Sequence, residues 1–384
     1  MKYDYIFAGV GLAAMMVLLE MKRSDLFSGK RILLIEPGEK KTNDRTWCFW
    51  ENGAGAWDWA VKKEWSSGGF KNKEYLIPCF SEALRYKMIE SKPFYDRIMN
   101  ELNACSEIEW KKESVQSFIE TEDGVEVRTE QFVYKGTAMF NSILDLSRLK
   151  NNEQHPLLLQ HFRGWFVKTA QPTFDSNQAV FMDFSVPQKG NTRFMYVLPI
   201  SETEALVEYT LFSADVLSED EYRLEIERYL EQKGISGYEI TRTESGIIPM
   251  SSYPLWKHNS KRILNIGSAG GWTKASTGYT FKNSAKFSKN VVQVLQSNAV
   301  DFRSFYTPNR FTFYDSLFVN VLYTNNELGY ELFSGMFSKV KPELVFKFLD
   351  EKTTFSEDLA IIWSCPKWPF LKALGNYIVK KLRF

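Results

Sequence analysis

Apolar and polar positions change period along this chain, and each change predicts a different element. Residues 3–10 form a short β-branched and aromatic run, and residues 12–22 are almost continuously apolar, as in a buried helix. Residues 31–35 are a second buried run that ends on Glu36. Strand, helix and strand in that order predict the opening βαβ unit of a parallel sheet. Within 106–145 the stretches 124–128 and 131–134 alternate and read as a small meander attached to that first domain. From 161 to 209 alternation continues at 179–184, 194–198 and 205–210, the pattern of an antiparallel sheet with one covered face. A late strand is expected at 261–266 and a helix at 282–296. From residue 314 onward Leu317, Val321 and Leu322 recur at helical spacing, so the remainder is expected to be mostly helical.

Two glycine clusters sit where such a sheet would need them. Gly9, Gly11 and Ala14 occupy the three small positions of a G-x-G-x-x-A turn between the first strand and its helix. The first allows the tight turn, the second lets backbone approach a pyrophosphate, and the third lets helix pack on strand. Glu36, at the end of the next strand, is placed to bind ribose hydroxyls. Gly267, Gly270, Gly271 and Gly278 follow the late strand and lead into its helix, an arrangement FAD enzymes use around the flavin and ribityl chain. Ser268 stands where a generic flavin enzyme carries Asp. The expected fold is therefore α/β: a Rossmann-type FAD-binding domain (1–150 and 251–300), an inserted antiparallel-sheet substrate lobe (151–250) and a mainly helical C-terminal region (301–384).

Charge and composition narrow the partners. With 48 Lys and Arg against 47 Asp and Glu, no basic stripe predicts nucleic acid. Thirty Phe, eighteen Tyr and eleven Trp suit an apolar ligand or a membrane contact, and a core would use them equally well. Cys48, Cys79, Cys105 and Cys365 lack C-x-x-C spacing and the three histidines are dispersed, so no metal site is expected. No secretory apolar region is read, and the longest apolar run, 12–19, is far below the roughly 20 residues of a membrane span. A cytoplasmic protein at the inner face of the cytoplasmic membrane is expected. Its contact would be the tail, where Trp363, Trp368, Phe370, Leu371, Leu374, Ile378 and Leu382 mix with Lys367, Lys372, Lys380, Lys381 and Arg383. A helix docked on the core is the equal alternative.

One acid stands apart. Glu208 lies in the apolar and hydroxyl-rich run 206–213. An apolar pocket disfavours the charged carboxylate and keeps a proton available at neutral pH. A structural glutamate held by a hydroxyl or an arginine would look the same.

The stretch Asn43-Asp44-Arg45-Thr46-Trp47-Cys48-Phe49-Trp50 strongly resembles a signature of the bacterial lycopene cyclases, a FAD-dependent family. Residues 181–184, 196–199, 206–213, 246–250 and 275–281 resemble the same family in the same order, up to about residue 350. The resemblance implies acid-catalysed closure of the ψ-ends of lycopene to β-rings, giving γ-carotene and then β-carotene. It implies FAD in its reduced form, NAD(P)H as the reductant, and no net redox change. It makes Glu208 the essential acid, although Tyr209 replaces the second glutamate of plant and cyanobacterial relatives. Asp183 is expected to receive or relay the departing proton, or else to hold the lobe together. Trp47, Phe49, Trp50, Tyr196 and Tyr279 are expected to contact substrate or to be ordinary core. Lycopene, γ-carotene, a membrane surface and other carotenoid-pathway enzymes are the implied partners. A flavin-dependent isoprenoid oxidoreductase (prenyl reductase or epoxidase) and a prenyl-binding escort protein are the competing readings, and the retained glycines argue against the escort.

Overall fold

The structure is a computed structural model that describes residues 2–150, 152, 154–297 and 300–382. In chain order its strands and helices begin β1 (Lys2–Ala8), α1 (Leu12–Arg23), β2 (Ile32–Ile35), β3 (Thr46–Asn52), β4 (Val61–Trp65), β5 (Ser67–Lys71), β6 (Leu76–Pro78), β7 (Leu84–Glu90) and α2 (Ser91–Asn103). They continue with β8 (Ile108–Lys111), β9 (Val115–Thr121), β10 (Gly124–Thr129), β11 (Val133–Asn141), α3 (Ser147–Lys150), β12 (Leu158–Thr169), β13 (Gln178–Asp183), β14 (Thr192–Pro199) and β15 (Glu204–Ser213). The last are α4 (Glu219–Gln232), β16 (Tyr238–Met250), β17 (Ile263–Asn265), α5 (Phe281–Leu295), α6 (Arg310–Thr324), α7 (Gly329–Lys339), α8 (Pro342–Leu349), α9 (Phe355–Ser364) and α10 (Lys367–Leu382).

The chain divides into two compact units. The first comprises Met1–Asp44, Glu90–Asn152 and Tyr253–Asn309. Its sheet runs β8-β2-β1-β11-β10-β9, with β17 also beside β11. The strands β8, β2, β1, β11 and β17 are parallel, and β10 and β9 extend the sheet antiparallel. Strand β2 and the end of β1, from Ile6 to Ala8, are buried on both faces, which explains their continuous apolar runs. β8, read from sequence as part of the meander, is a parallel edge strand beside β2.

The second unit comprises Arg45–Ile89, Glu153–Ser252 and Arg310–Phe384. Two expected boundaries change here. Residues 45–89, placed by sequence in the first domain, belong to this unit because β5 pairs with β13. Residues 310–384 join it too, because α7 packs against β14. The main sheet runs β16-β12-β15-β14-β13-β5-β6, and a smaller one runs β3-β7-β4. On one face of the large sheet, Val207, Tyr209 and Leu211 of β15 pack with Tyr222, Ile226 and Tyr229 of α4. On the other, Phe181 meets Tyr86 of β7, Phe337 of α7 and Phe346 of α8, with ring centroids 5.7–5.9 Å apart. Before α7, the Asn326 side chain accepts from Thr192 N–H (2.7 Å) and donates to the Phe212 carbonyl (2.8 Å), which fastens that helix to the sheet.

Asp183 ties α4 to the sheet. It is 1% exposed, accepts from Tyr229 Oη (2.7 Å) and the Ser185 N–H (2.8 Å), and lies 3.4 Å from both Lys71 and Lys233. Burial alone would raise its pKa, but Ser185, Tyr229 and Lys233 together hold it below the usual carboxylate value. Asp183→Ala should cost about 3–5 kcal/mol, because it strands two part-buried ammonium groups and a buried hydroxyl. Since the folded value is the lower one, this stability is present above the unfolded carboxylate pKa, about 3.9, and is lost as pH falls through the folded value. Urea unfolding of both proteins between acid and neutral pH checks the cost and its sign.

Candidate active site

Two sets of chemistry-bearing residues are built, one in each unit. In the first unit β1 ends at Ala8 and the chain turns at Gly9, whose φ of +79° favours glycine. A Cβ there would lie 2.4 Å from Ser142 Oγ, whose hydroxyl donates to the Gly9 carbonyl (2.8 Å). Gly11 precedes α1 and no side chain caps that helix, while a Cβ built on Gly11 meets nothing within 4 Å. Uncapped amide N–H groups beside open space suit an anion. Glu36 accepts from the Val10 N–H (2.7 Å) and the Gly38 N–H (3.1 Å), so it braces the glycine turn as well as ending β2.

The second glycine cluster lies against α1, since a Cβ on Gly267 would be 3.0 Å from Ala13 Cβ. Ala14 is fully buried in α1, and α1 packs on α5. Gly270 closes the turn against the Asn265 carbonyl, and Gly271 and Gly278 take positive φ on the way to α5. Ser268 hydrogen bonds Thr273 (3.0 Å). The uncapped helix, the open face at Gly11 and the acid at the end of β2 fit the pyrophosphate and ribose of a dinucleotide such as FAD.

In the second unit the pairing register aligns Tyr196 of β14, Glu208 of β15, Gly164 of β12 and Glu244 of β16 in one row. Residues opposite one another across strands project from the same face. Glu208 and Glu244 are only 8% and 7% exposed, and their carboxyl groups lie close enough to shift each other's titration. Thr210 Oγ1 donates to Glu208 (3.0 Å), and Thr46 Oγ1 donates to Glu244 (2.6 Å). Burial raises the Glu208 carboxyl well above its usual value, and Glu244 pushes it further against the Thr210 bond. Burial raises Glu244 as well, but Thr46, Arg242, Glu208 and Arg45 pull it back. Both carboxyls are thus held above the usual glutamate value, Glu208 by burial and its acidic neighbour, Glu244 by burial against the hydroxyl and guanidinium partners that favour its charge. Burial and both glutamates also push the nearby Cys48 thiol up, which keeps it protonated.

The signature stretch now has physical roles. Asn43 accepts from the Lys92 N–H at the start of α2 (2.8 Å), and Asp44 exchanges hydrogen bonds with Ser91. Further along, Thr46 reaches Glu244, Cys48 neighbours both glutamates, and Trp50 packs on Phe346 at 4.7 Å. These three share one face of β3 by alternation, whereas the buried Trp47 and Phe49 project from the other. Tyr196 meets Phe181 at 6.1 Å beside Glu208, and Tyr279 belongs to the first unit.

Asp183, expected either to receive or relay the departing ring proton or to hold the lobe together, lies on the α4 side of the sheet and in the second of these positions. A bulge between Val180 and Asp183 breaks the alternation of β13, so Phe181 shares the Glu208 face while Asp183 turns to α4. Sequence reasoning missed Glu244, Thr46, Thr210 and Gly164 as members of the site. Glu244 lies in a strand whose residues 239–246 are otherwise mostly exposed and polar, so nothing local marks it as buried. Thr46 stands inside the 43–50 signature and Thr210 inside the hydroxyl-rich run 206–213, and those are the available signals.

The model of the family described as "Lycopene cyclase protein" matches residues 4–374. A lycopene beta-cyclase from Paracoccus sp. (strain N81106 / MBIC 01143) is 24% identical over 296 residues, covering 74% of this chain and 72% of that protein. Among solved structures, a geranylgeranyl bacteriochlorophyll reductase-like protein from Thermoplasma acidophilum superposes with a TM-score of 0.61 at 13% identity, covering 98% of this chain and 99% of the other. The halogenase PltM, solved with phloroglucinol and FAD, superposes with a TM-score of 0.55 at 11% identity, covering 91% and 82%. The fold is thus the Rossmann-type flavoprotein fold.

The two glycines of the first turn should separate by their surroundings. Gly11→Val has room in the protein and should fold, yet its side chain takes the space proposed for pyrophosphate, so bound flavin should be lost. Gly9→Val forces a β-branched side chain into positive φ against Ser142 and should lower stability itself, by about 1–3 kcal/mol. Flavin absorbance of the purified variants, with thermal unfolding, checks both.

Proposed function

The chain belongs to the lycopene cyclase family, and we propose that it closes the ψ-ends of lycopene to β-rings, forming γ-carotene and then β-carotene by acid catalysis without net redox change. The observation that carries this reading is a buried Glu208, its carboxyl held well above the usual value by burial and by Glu244, facing an aromatic-walled layer. Alkenes are weak bases, so a positioned carboxylic acid screened from water is the group that such a step needs.

Glu208 delivers its proton to the terminal double bond of the substrate, leaving a tertiary cation. The neighbouring internal alkene supplies the electron pair for the six-membered ring, and loss of a ring proton gives the β-end. Water in the pocket would trap the cation as an alcohol, and Leu206, Phe181, Phe337 and Phe346 are all buried on this face. Rings such as Tyr196 and Trp50 offer π-faces worth on the order of 1–2 kcal/mol each to a desolvated cation. Gly9, Gly11, Ala14 and Glu36, with Gly267, Gly270, Gly271 and Gly278, would hold FAD. When bound and reduced, with NAD(P)H as its reductant, FAD would supply negative charge that favours a cationic intermediate. The reaction class is an isomerisation by intramolecular lyase chemistry.

Lycopene is insoluble in water, so the enzyme is proposed to work peripherally on a bilayer, at the inner face of the cytoplasmic membrane and beside other enzymes of carotenoid synthesis. Among the described residues no helix is long and apolar enough to cross a membrane. The neighbouring helices α9 and α10 expose Leu359, Ile362, Trp363 (73%), Trp368 (76%), Leu371 and Ile378, with Lys367 and Lys372 also exposed. Phe370 and Leu374 are half-buried, so only part of the expected apolar stripe faces outward. Arg383 lies outside the described residues, and so does Phe384.

Three outcomes test the proposal. Glu208→Gln should keep its flavin and lose about 10²–10⁴-fold in cyclisation rate, the usual worth of a general acid; a wild-type rate would sink the acid role. Under anaerobic conditions with lycopene liposomes, NADPH consumption should stay far below one per ring, and stoichiometric consumption would favour a prenyl reductase or epoxidase instead. Trp363→Ala with Trp368→Ala should weaken flotation with anionic phosphatidylglycerol vesicles by at least about tenfold, since each inserted aromatic contributes roughly 1.5–3 kcal/mol.

A further inference from the structure

Strand spacing makes the contact between Glu208 and Glu244 unusual. They sit on β15 and β16, which are separated by β12, so their backbones are roughly 9–10 Å apart in the hydrogen-bonding direction. Any side chain on the intervening residue would stand between them. That residue is Gly164, opposite both glutamates in the register. A Cβ built on Gly164 would lie 3.1 Å from Glu244 Cγ, 3.2 Å from Glu208 Oε2 and 2.8 Å from Leu206 Cδ1. The space that a side chain would fill is taken by Leu206 and the two carboxylic side chains. Separate hydroxyl donors orient them, Thr210 on Glu208 and Thr46 on Glu244.

We infer that Glu208 and Glu244, joined across Gly164, operate as one unit that holds a single proton, with Glu244 as the positioning residue that keeps Glu208 loaded and makes the pair take a proton back. This inference rests on the acid role proposed for Glu208. Donation breaks the Glu208 O–H bond and forms the C–H bond at the terminal alkene carbon. It leaves two carboxylates side by side in an apolar layer, a state that like-charge repulsion disfavours. Uptake of the ring proton relieves it: the ring C–H bond breaks, its electron pair becomes the ring double bond, and the proton rejoins the pair. One proton leaves and one returns, and no electrons are exchanged with the enzyme. The neighbouring charge makes Glu208 a weaker acid but keeps it protonated at neutral pH, which suits a donor that must be loaded before substrate arrives. The titratable and charged groups facing the pair are Arg242 on β16, Arg45 and Cys48 at β3, and Tyr196 on β14. Tyr86 of β7 stands behind Cys48 and hydrogen bonds it.

The test is the pH dependence of single-turnover cyclisation for the full-length flavoprotein and its Glu244→Gln, Gly164→Ala and Glu208→Gln variants. Infrared difference spectroscopy of the protonated carboxyl band is the readout independent of turnover. Cyclisation requires protonated Glu208, so the rate falls as pH rises through its pKa. Glu244→Gln removes the neighbouring charge, lowers that pKa, and moves the falling limb towards acid by about one unit or more. Its rate should therefore drop about tenfold on the alkaline side and little on the acid side, with the carboxyl band vanishing at lower pH. Gly164→Ala keeps both acids but parts them, and should move the limb and the band the same way. An even loss at every pH, or an unmoved limb and band in both variants while Glu208→Gln is inactive, overturns the pair and leaves the acid role standing. An active Glu208→Gln overturns the acid role and the pair with it.

Discussion

Two carboxyl groups close together within an apolar layer strongly disfavour being charged at once, and Glu208 and Glu244 stand under that constraint. Desolvation and like-charge repulsion act in the same direction on Glu208. The repulsion would weaken if β12 carried a side chain at position 164, because that side chain would stand between the two glutamates. The antiparallel order β16-β12-β15 supplies the row and Gly164 opens it. Thr46, delivered by the smaller sheet, completes the hydrogen bonding of Glu244.

The aromatic residues matter for the same reason. A carboxyl stays protonated only where water is scarce, and Phe181, Tyr86, Phe337 and Phe346 pack edge to face or tilted on the side of the sheet that carries Glu208. Those rings come from both sheets and from α7 and α8, so the dry layer is a tertiary product that no single segment encodes. On the far face, α4 and the Asp183 cluster use charge differently. There a carboxylate is kept ionised by two lysines and two hydrogen-bond donors, and it fastens a helix. One sheet thus raises the pKa of an acid on one face and lowers that of an acid on the other, decided by the partners that each meets.

Much of this was legible in the chain before folding. The glycine turns and the buried strands were legible because their chemistry is local: each residue acts on its own stretch of backbone. Glu208 was legible as an acid among apolar neighbours. Glu244 was not, since its strand alternates polar residues at a sheet edge and its burial depends on Thr46, nearly two hundred positions away in the chain. The face on which Asp183 lies was hidden for a related reason. A bulge shifts its side by one position, and bulges leave no mark in a hydrophobic pattern. The assignment of 45–89 failed because parallel pairing of β5 with β13 is a long-range contact, and sequence neighbours alone placed that segment in the first domain.

The central claim is that an exchangeable proton on the enzyme, rather than a redox event, starts ring closure. A single turnover by flavoprotein pre-equilibrated in D2O tests it most directly, with the products read by mass spectrometry. The account predicts one deuterium on carbon in every ring formed. Rings that form at the normal rate without deuterium would contradict it, since the proton would then have come from the substrate itself and no acid of the protein would be required.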